Sequence, residues 1–509
     1  MKSFYITTPI YYVNDSAHIG HCYTTIACDI IARYNKSLGN DVFFLTGTDE
    51  HGQKVEKAAR SKNFEPQIYA NKMSKQFEEL IPFLNCDISD FIRTTEKRHI
   101  KSSQALWNKL LENNQIYLSN YEGWYSIRDE AFYTENELVK KDGKYYASSG
   151  STVEWVKEES YFFKLSEWDK KLLDFYYNNP DAIAPKSRYN EVISFIKGGL
   201  KDLSISRTTF KWGVPVPNNN NHVMYVWIDA LCNYLTAIGY PEIKDSKFNQ
   251  YWPAVHIVGK DILRFHSVYW PAFLMAADLN PPKRVFAHGW WTNEGQKISK
   301  SVGNTIDPYE IINEYGLDQI RFFLFREVPF GNDGDFSKKA ISKRVNADLS
   351  NNLGNLVQRS CTFAKKNNNS EIVNNFRNIN KEDKYLIDFS IKTLENYQIF
   401  MNNQEIDKSL KCIFDLLTET NIYFDKQAPW NLKKDNSERM NIVISITIEM
   451  IRRSSILLYP VIPSSIESIF FLINLDKNKN NIKNYSLLPS KKLHINDPKP
   501  IFPRIEIND

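Results

Sequence analysis

The chain has 509 residues, which is too many for one hydrophobic core and predicts roughly two to four domains. Its hydrophobic content of 42% and aromatic content of 14% indicate well-filled cores and exclude a disordered chain. The formal net charge of +4 is mild, so the chain is not one that coats itself in nucleic acid, although it can still bind RNA at selected places.

The cysteines and the hydropathy pattern indicate a compartment. The six cysteines are scattered and form no Cys-x-x-Cys pair, which argues against a disulfide framework and against a thiolate zinc site. The chain enters its first predicted strand within a few residues, and no apolar run approaches the roughly 20 residues of a membrane helix. We therefore expect a cytoplasmic protein.

The first predicted strand is followed by two histidines. Residues 4–8 read as a buried strand, and residues 18–21 (His-Ile-Gly-His) begin a helical run that extends to residue 36. In such a strand–helix unit, ligands gather at the carboxyl end of the strand and beside the helix N-terminus. Imidazole N–H groups can donate to phosphate oxygens there. Taken alone, the tetrad fits a phosphate site and an ordinary capping or core histidine equally well.

A second predicted strand ends in a polar loop. Residues 41–52 read as a buried run followed by Thr-Asp-Glu-His-Gly. Carboxylates and a histidine at this position line the same crevice as the first tetrad, although an aspartate that only caps the next helix is the simpler alternative.

The predicted secondary structure changes after residue 118 and again after residue 331. Short aromatic strands between residues 118 and 216 predict a small antiparallel insertion, and buried strands return at 224–231, 254–261 and 284–289. Residues 293–304 follow, with two lysines and two serines between glycines, so this loop can move and bring cations against phosphates; a solvated charged loop is the alternative. In a doubly wound sheet it would face the histidine tetrad. Beyond residue 331 apolar residues recur at helical spacing, which predicts a helical bundle.

These motifs together resemble those of the class I aminoacyl-tRNA synthetases, and closely those of the methionyl-tRNA synthetase family. Residues 18–21 match the HIGH motif of that class, and residues 297–301 (Lys-Ile-Ser-Lys-Ser) match its KMSKS motif with Ile for Met. Further stretches resemble the methionine enzymes specifically and extend the resemblance over nearly the whole chain: 8–14, 47–52, 225–230, 259–266, 346–359 and 428–430.

The expected fold class is α/β: a doubly wound parallel (Rossmann-type) catalytic domain with a small β-rich connective insertion, followed by an all-α anticodon-binding bundle. The expected boundaries are 1–117 for the first half of the catalytic domain, 118–222 for the insertion, 223–330 for the second half, and 331–509 for the bundle with its joining segment 331–345.

The resemblance implies a two-step reaction. The carboxylate of L-methionine attacks the α-phosphate of ATP, bound with Mg²⁺, and the 3′-terminal adenosine of tRNA(Met) then attacks the activated carbonyl. Such a displacement needs positioning and charge stabilisation. The implied catalytic residues are His18, His21, Lys297 and Lys300, and the implied ATP-binding residues are Gly20, Arg207, Gly259, Asp261 and Lys300.

The resemblance also implies a methionine pocket. A thioether favours contact with aromatic rings, and Asp49 would pair with the ammonium group of the substrate. The pocket residues of the family fall on Ile10, Tyr12, Asp49, Trp227, Ala230, Leu231, Tyr234, Ile262 and His266. Core packing is the alternative for each aromatic residue. Because an apolar pocket discriminates poorly against homocysteine, correction of that error within the same site is a hypothesis.

For tRNA, the family reads the CAU anticodon with its helical domain. Asn355, Arg359 and Trp430 fall on the matching positions, and their side chains suit single-stranded bases, since indole can stack while Asn and Arg read base edges. The alternative for Trp430 is that it plugs the bundle. Both initiator and elongator tRNA are expected partners.

The sequence departs from many relatives in one respect. No cysteine lies between Cys86 and Cys232, where many relatives carry zinc-binding knuckles, so we expect no structural zinc and a structural role for aromatic packing instead. The appended dimerisation domain of some relatives is not expected either, which predicts a monomer. A synthetase for Ile, Val or Leu would need a larger insertion, and the remaining alternative is a non-catalytic tRNA-binding paralogue.

Overall fold

The structure is a computed structural model. It describes residues 2–14, 16–129, 131–133, 135–141, 143–147, 149–244, 247–293, 296–297, 306–367, 371–373, 376, 378–476, 478, 481–487 and 492–506.

The strands are β1 (Ser3–Thr7), β2 (Tyr11–Tyr12), β3 (Asp41–Asp49), β4 (Asp90–Arg93), β5 (Ile116–Ser126), β6 (Ala131–Tyr133), β7 (Leu138–Lys141), β8 (Lys144–Ala147), β9 (Glu154–Phe163), β10 (Ile183–Ala184), β11 (Leu203–Ser204), β12 (Ser206–Arg207), β13 (Pro215–Val216), β14 (Asn219–Met224), β15 (Val255–Gly259), β16 (Arg284–His288), β17 (Trp291–Asn293), β18 (Gln296–Lys297), β19 (Gly334–Phe336), β20 (Glu371–Val373) and β21 (Lys492–His494).

The helices are α1 (Ile19–Ser37), α2 (Gln53–Ser61), α3 (Pro66–Phe83), α4 (Lys97–Glu112), α5 (Asp169–Asn178), α6 (Lys186–Lys197), α7 (Val226–Leu231), α8 (Asn233–Thr236), α9 (Lys247–Tyr251), α10 (Trp270–Ala276), α11 (Pro308–Tyr315), α12 (Leu317–Arg326), α13 (Lys338–Arg344), α14 (Asn355–Asn367), α15 (Lys381–Asn402), α16 (Ile406–Gln427), α17 (Pro429–Asp435), α18 (Ser437–Leu458) and α19 (Pro463–Leu472). A π-helical turn over Phe265–Tyr269 precedes α10.

The chain divides into two compact units, which are described separately below. The sheet unit comprises Ser3–Ala17 and Val42–His288, and the helical unit comprises Met1–Lys2, His18–Asp41 and Gly289–Asp509. The predicted domain boundaries stay predictions.

The sheet unit is built on a seven-stranded sheet with the order β10-β16-β15-β1-β3-β2, in which β4 also pairs with β3. The pairs β1–β15, β15–β16, β10–β16, β2–β3 and β3–β4 are parallel. Strand β3 is buried along all but its first residue, as expected when both faces of a parallel sheet are covered. The predicted α/β fold class is confirmed.

The strand order of this sheet reverses at its centre. From β1 the chain continues to β3 on one side of the sheet, and it later returns to β15 and β16 on the other side. The strand order therefore reverses at β1, and ligands bind outside the carboxyl ends of strands at such a switch point.

Strands β3 and β4 approach each other closely at Gly47. A Cβ there would lie 2.0 Å from the carbonyl oxygen of Ile92, so this position requires glycine.

The connective insertion contains a separate antiparallel sheet with the order β11-β9-β5-β6. Aromatic rings pack across it, with Trp124 contacting both Tyr145 and Trp155 at centroid distances of 4.6 and 5.1 Å. Strand β10 lies within residues 118–222 as well, but it pairs with β16 in the parallel sheet.

In the helical unit, helices α15, α16 and α18 pack around a buried apolar cluster that includes Leu386, Leu416 and Val443. Elsewhere in the same unit, helix α1 packs on α12: the ring of Tyr23 stacks on that of Phe325, with the centroids 4.9 Å apart. None of the helices in the described ranges is both long and apolar enough to cross a membrane.

Candidate functional site

Asp49 is the last residue of β3, and ionic contacts of the next residue, Glu50, fix the start of the loop that follows the strand. The carboxylate of Glu50 is fully buried and accepts from Arg93 Nε and Nη2 at 2.6 and 3.0 Å. The hydroxyl of Thr95 donates to it at 2.5 Å, and the backbone N–H of Glu50 donates to Thr94 at 2.9 Å. These contacts hold the backbone next to Asp49, which is itself buried at the end of the strand.

On the other side of the loop, His51 shares a buried carboxylate with a second histidine. His51 Nδ1 lies 2.7 Å from one oxygen of Asp229, and His99 Nε2 lies 2.7 Å from the other. Burial raises the pKa of Asp229, but the charges and hydrogen bonds of His51 and His99 outweigh burial and hold that pKa at about 2. Asp229 is therefore ionised and ties the loop to helix α7.

Trp212 clamps the same loop, and the sequence did not single it out. Its Nε1 donates to the carbonyl oxygen of Glu50 at 2.5 Å, and its own carbonyl accepts from Gly52 N at 2.9 Å. The indole also lies edge-on to His51, with the ring centroids 5.4 Å apart. Gly52 has a φ of +101°, a backbone conformation that favours glycine.

The predicted pocket aromatics come together in one cluster. The ring of Trp227 is stacked on Phe265 with a centroid distance of 3.8 Å and an interplanar angle of 4°, and it lies edge-on to His266. Phe265 is a further pocket candidate that sequence analysis missed, although it adjoins His266 in the matched stretch 259–266. Buried Trp227 Nε1 has no hydrogen-bond partner among the residues the structure describes, so a donor remains in this cluster.

The tautomer of His266 follows from its partners. Its Nδ1 lies 3.0 Å from the carbonyl oxygen of Ile262, which can only accept, so Nδ1 carries the proton. Nε2 of the neutral ring is then an acceptor, and the hydroxyl of Tyr234, at 2.7 Å, must donate to it. Burial lowers the pKa of His266 to about 4 and keeps the ring neutral at physiological pH.

The remaining pocket candidates lie in the same core of the sheet unit. Tyr12 pairs with Asp49 in the β2–β3 register, so the predicted ring and the predicted ammonium partner are neighbours. Buried Leu231, Tyr234 and Trp227 belong to one apolar cluster, against which three half-buried candidates pack; these are Ile10, Tyr12 and Ile262. Ala230 is buried on α7.

His256 lies behind this cluster and was also missed by sequence analysis. Its ring lies against that of Tyr234, tilted by 33° with the centroids 4.1 Å apart, and Thr7 Oγ1 lies 2.8 Å from its Nδ1. Burial lowers the pKa of His256 well below its usual value. A single histidine inside an apolar strand carries no periodic signal that separates it from the core.

Gly259 and Asp261 lie at the carboxyl end of β15, at the switch point of the sheet. Gly259 pairs with His288 in the β15–β16 register. A Cβ at Gly259 would lie 2.5 Å from Oδ1 of Asp261, so the absent side chain lets that carboxylate fold over the backbone.

Arg207 is held inside the sheet unit. Its guanidinium is almost fully buried, lies over the rings of Phe132 and Tyr125 at 4.2 and 4.4 Å, and is 3.2 Å from Glu158. Its predicted role toward ATP stays a prediction.

In the helical unit, His18 and His21 cap helix α1 reciprocally. The backbone N–H of Gly20 donates to His18 Nδ1, and the backbone N–H of His18 donates to His21 Nδ1, both at 3.1 Å. Since each Nδ1 accepts, the neutral rings carry their protons on Nε2. A Cβ at Gly20 would lie 2.9 Å from the His18 ring, so the glycine leaves room for this arrangement.

The lysine loop is only partly covered. Lys297 belongs by its backbone to β18, which pairs with β17. Lys300 lies outside the described residues, and so does most of the loop.

The predicted anticodon residues lie on α14 and α17. Asn355 is exposed at the start of α14, and Arg359, on the same helix, forms an ion pair with Asp425 of α16. Trp430 is 45% exposed and lies edge-on to Phe424 at 6.0 Å. Its indole therefore packs on the bundle with one side and leaves the rest accessible.

Comparison with known families identifies the class of protein. A family model of the class I tRNA synthetases (M) matches residues 4–361, which defines the chain as a class I aminoacyl-tRNA synthetase. A second model, the anticodon-binding domain of methionyl tRNA ligase, matches residues 374–506. The chain belongs to the methionyl-tRNA ligase family.

Individual relatives cover the chain almost completely. The methionine--tRNA ligases of Rickettsia felis and Brucella suis are 52% and 49% identical to it, over 99% of this chain and 99% and 98% of theirs. The solved structure of Mycobacterium tuberculosis methionyl-tRNA synthetase in complex with methionyl-adenylate is 44% identical, with a TM-score of 0.96 over 99% of this chain and 100% of that one.

Proposed function

We propose that the chain activates L-methionine with ATP to methionyl-adenylate and pyrophosphate, and then transfers methionine to the 3′-terminal adenosine of tRNA(Met). The observation that carries the proposal is a cluster of side chains in the sheet unit, where Asp49 adjoins Tyr12, Tyr12 packs against the core that contains Trp227, and a neutral His266 lies against Trp227. A carboxylate suits the ammonium group of an amino acid, and aromatic and neutral imidazole rings suit an uncharged thioether.

The activation step needs charge stabilisation at the phosphates. With protons on Nε2, His18 and His21 are donors at a helix N-terminus, where anions are favoured. Lys297 and Lys300 neutralise the charge that grows on the leaving pyrophosphate, and Gly259 and Asp261 hold the ribose. Arg207 contributes to the triphosphate. These lysines act on the transition state more than on bound ATP, so their removal lowers kcat more than ATP affinity.

ATP enters as its Mg²⁺ complex. The described residues contain no group of three or more His, Cys, Asp and Glu side chains that could hold a metal ion. Magnesium prefers hard oxygen ligands and keeps several waters, so phosphate oxygens and water would be its main ligands in that complex.

We further propose that the insertion is stable without zinc. The carboxylate of Asp129 accepts from Ser151 at 2.7 Å, Tyr133 at 2.9 Å and Ser149 at 2.5 Å, and this polar cluster lies beside the aromatic rings on the sheet. Elemental analysis of the purified protein should find no stoichiometric zinc, and a chelator should leave its Tm unchanged. A loss of Tm with the chelator would contradict the proposal.

On the helical unit, Asn355, Arg359 and Trp430 read the CAU anticodon, with Trp430 stacking on a base. We further predict that the chain uses both initiator and elongator tRNA, which charging of each tRNA tests. We also predict a monomer, which sedimentation tests, and a cytoplasmic location, which cell fractionation tests. Release of homocysteine thiolactone on incubation with homocysteine and ATP tests correction within the methionine site.

Methionine-dependent exchange between ATP and pyrophosphate tests the main proposal. We expect exchange that requires methionine and is lost in Lys300→Ala while methionine binding persists. Absence of exchange in a folded protein that still binds tRNA would instead support a non-catalytic tRNA-binding paralogue.

A further inference from the structure

A cavity of about 280 Å³ lies between helices α15 and α16 of the helical unit. Its walls come from the first two turns of α15 and the last turns of α16, and none of its residues belongs to the sites described above. The lining residues are Lys381, Glu382, Tyr385, Leu386, Glu419, Ile422, Tyr423, Lys426 and Gln427.

Two large apolar side chains stand at this cavity without cover. Tyr385 is 56% exposed and Ile422 is 40% exposed, although Leu386 and Tyr423 beside them are buried. An exposed aromatic ring beside an aliphatic side chain is a surface on which a nucleobase can stack, and such stacking tolerates any base.

The polar groups of the cavity are organised for a ligand. Arg439 donates to Oε1 of Gln427 at 2.6 Å, so this amide is oriented, and Nε2 donates to no protein group within the described ranges. Arg439 is itself held by Asp383, which also accepts from Tyr423 OH at 2.6 Å. The amide is therefore a rigid donor, a property that favours reading of a base edge.

The charged side chains that line the cavity are two lysines and two glutamates, so it offers cations for phosphates and carboxylates for amino groups. Lys381 and Lys426 form no ion pair within the part of the chain that the structure describes, and both are exposed, so they can contact backbone phosphates. Glu419 supplies carboxylate oxygens that can accept from an exocyclic amino group of a base.

The cavity is close in sequence to the residues proposed to read the anticodon. Its α16 wall ends at Lys426 and Gln427, and only Ala428 and Pro429 separate that wall from Trp430. On the neighbouring face of the same helix, Asp425 pairs with Arg359. The cavity thus lies beside the residues proposed to read the anticodon.

We propose that this cavity binds one unpaired nucleotide of the tRNA anticodon loop outside the CAU triplet. The base stacks on Tyr385 against Ile422 and presents an exocyclic amino group to Glu419, and Lys381 and Lys426 contact the adjoining phosphates. The inference rests on the proposed function in one respect, that Trp430 and its neighbours receive the anticodon.

Binding of a short anticodon stem-loop RNA tests the proposal. Tyr385→Ala should weaken binding about 5- to 150-fold, the range that stacking of one base supports, and Tyr385→Phe should keep the wild-type affinity. Ile399→Ala is the matched control, because Ile399 is on the same helix and 55% exposed but lies outside the cavity. Methionine-dependent pyrophosphate exchange, which needs no tRNA, reports whether each variant has an intact catalytic half.

The partner nucleotide is found with RNAs that carry one abasic site at each loop position flanking the triplet. One of these should weaken binding to the wild type by the same factor as Tyr385→Ala and should have no further effect on that variant. Wild-type affinity of Tyr385→Ala, or additive losses at every position, would overturn the proposal. If a change in oligomeric state accompanied wild-type affinity, the face would be a contact between copies of the chain.

Variants of Tyr385 and Trp430 together distinguish the cavity proposal from the proposed anticodon surface on which it rests. If Trp430→Ala leaves hairpin binding unchanged, the anticodon surface itself is misplaced. If Trp430→Ala weakens binding and Tyr385→Ala does not, only the cavity proposal fails. Lys426→Gln should reduce the dependence of log Kd on log salt by about one unit.

Discussion

Trp227 and Trp430 are both tryptophans predicted to touch a substrate, but the structure presents them differently. Trp227 is 9% exposed and stacked on Phe265, whereas Trp430 is 45% exposed and packs on Phe424 with one edge. A small apolar side chain gains most from a closed pocket in which water is absent. A base in an RNA loop is delivered from outside and needs an open ring.

The polar groups around the two tryptophans differ in the same sense. In the pocket, Tyr234 and His266 are already hydrogen-bonded to each other, and Asp229 is fully paired beneath the loop of Asp49. On the helical unit, Arg359 has a solvent-exposed partner, Asp425. The buried contacts fix geometry before a ligand arrives, while exposed ones can be exchanged for contacts with the ligand.

Removing the carboxylate under the pocket should have the largest effect. Asp229→Ala leaves two buried imidazoles without their acceptor, so the free energy of unfolding should fall by about 3–5 kcal/mol. Urea unfolding measures this, and the KM for methionine should rise with it. Glu242→Gln is the control, since that exposed carboxylate also pairs with a cation, Lys101, and its loss should leave stability unchanged.

The pH dependence of stability follows from the same carboxylate. The folded-state pKa of Asp229 is about 2, below its usual value of 3.8. The stabilisation is therefore fully present above pH 4 and is lost as the pH falls through about 2. It amounts to about 2 kcal/mol, and Asp229→Asn should flatten the acid limb of the unfolding curve.

Truncation of the exposed tryptophan should affect only the RNA step. Trp430→Ala removes one stacking surface, worth about 1–3 kcal/mol, so kcat/KM for tRNA should fall about 5- to 150-fold. Pyrophosphate exchange should not change, and Ile399→Ala serves as the exposed apolar control. A fall in exchange would mean that Trp430 supports the fold rather than the RNA.

The hydroxyl of Tyr234 should matter for methionine alone. Tyr234→Phe leaves the buried acceptor Nε2 of His266 without its donor, a cost of about 1–2 kcal/mol, so the KM for methionine should rise roughly tenfold with kcat and tRNA affinity unchanged. Equal losses for methionine and tRNA would contradict the assignment.

His266 gives the unsubstituted protein a second pH dependence. Because the pKa of His266 is lowered to about 4, protonation disfavours the folded state, and the free energy of unfolding should fall as the pH drops from 6.5 toward 4.

Local patterns predicted much of the fold. The buried run 284–289 became β16 (Arg284–His288), and the run at 41–52 became β3 with its polar loop. Strand β10 was not predicted, because two residues are too few to show a period. The packing of Tyr23 on Phe325 was not predicted either, since that contact joins distant parts of the chain.

The candidate site divides in the same way. Residues within matched motifs, such as Asp49 and His266, were predicted from the resemblance. The supporting residues were missed: Trp212 and Arg93 bind the loop directly, His99 binds the Asp229 carboxylate that pairs with His51, and all three are single residues far in sequence from the loop. Only the fold brings such partners together, so neither spacing nor periodicity could indicate them.

The smallest expected effect concerns the exposed ion pair. Asp425→Asn removes the partner of Arg359 and one negative charge near the proposed anticodon surface, and exposed pairs contribute less than about 1 kcal/mol. Folding stability should therefore stay unchanged, while the Kd for tRNA should fall, by about fivefold or less, as Arg359 becomes available to a base or phosphate. Arg359→Ala in the same background should abolish that gain. If Asp425→Asn instead weakened tRNA binding, the ion pair would be holding Arg359 in the position that contacts the anticodon. The exposed contacts of the helical unit would then be fixed before the ligand arrives, as the buried contacts of the sheet unit are.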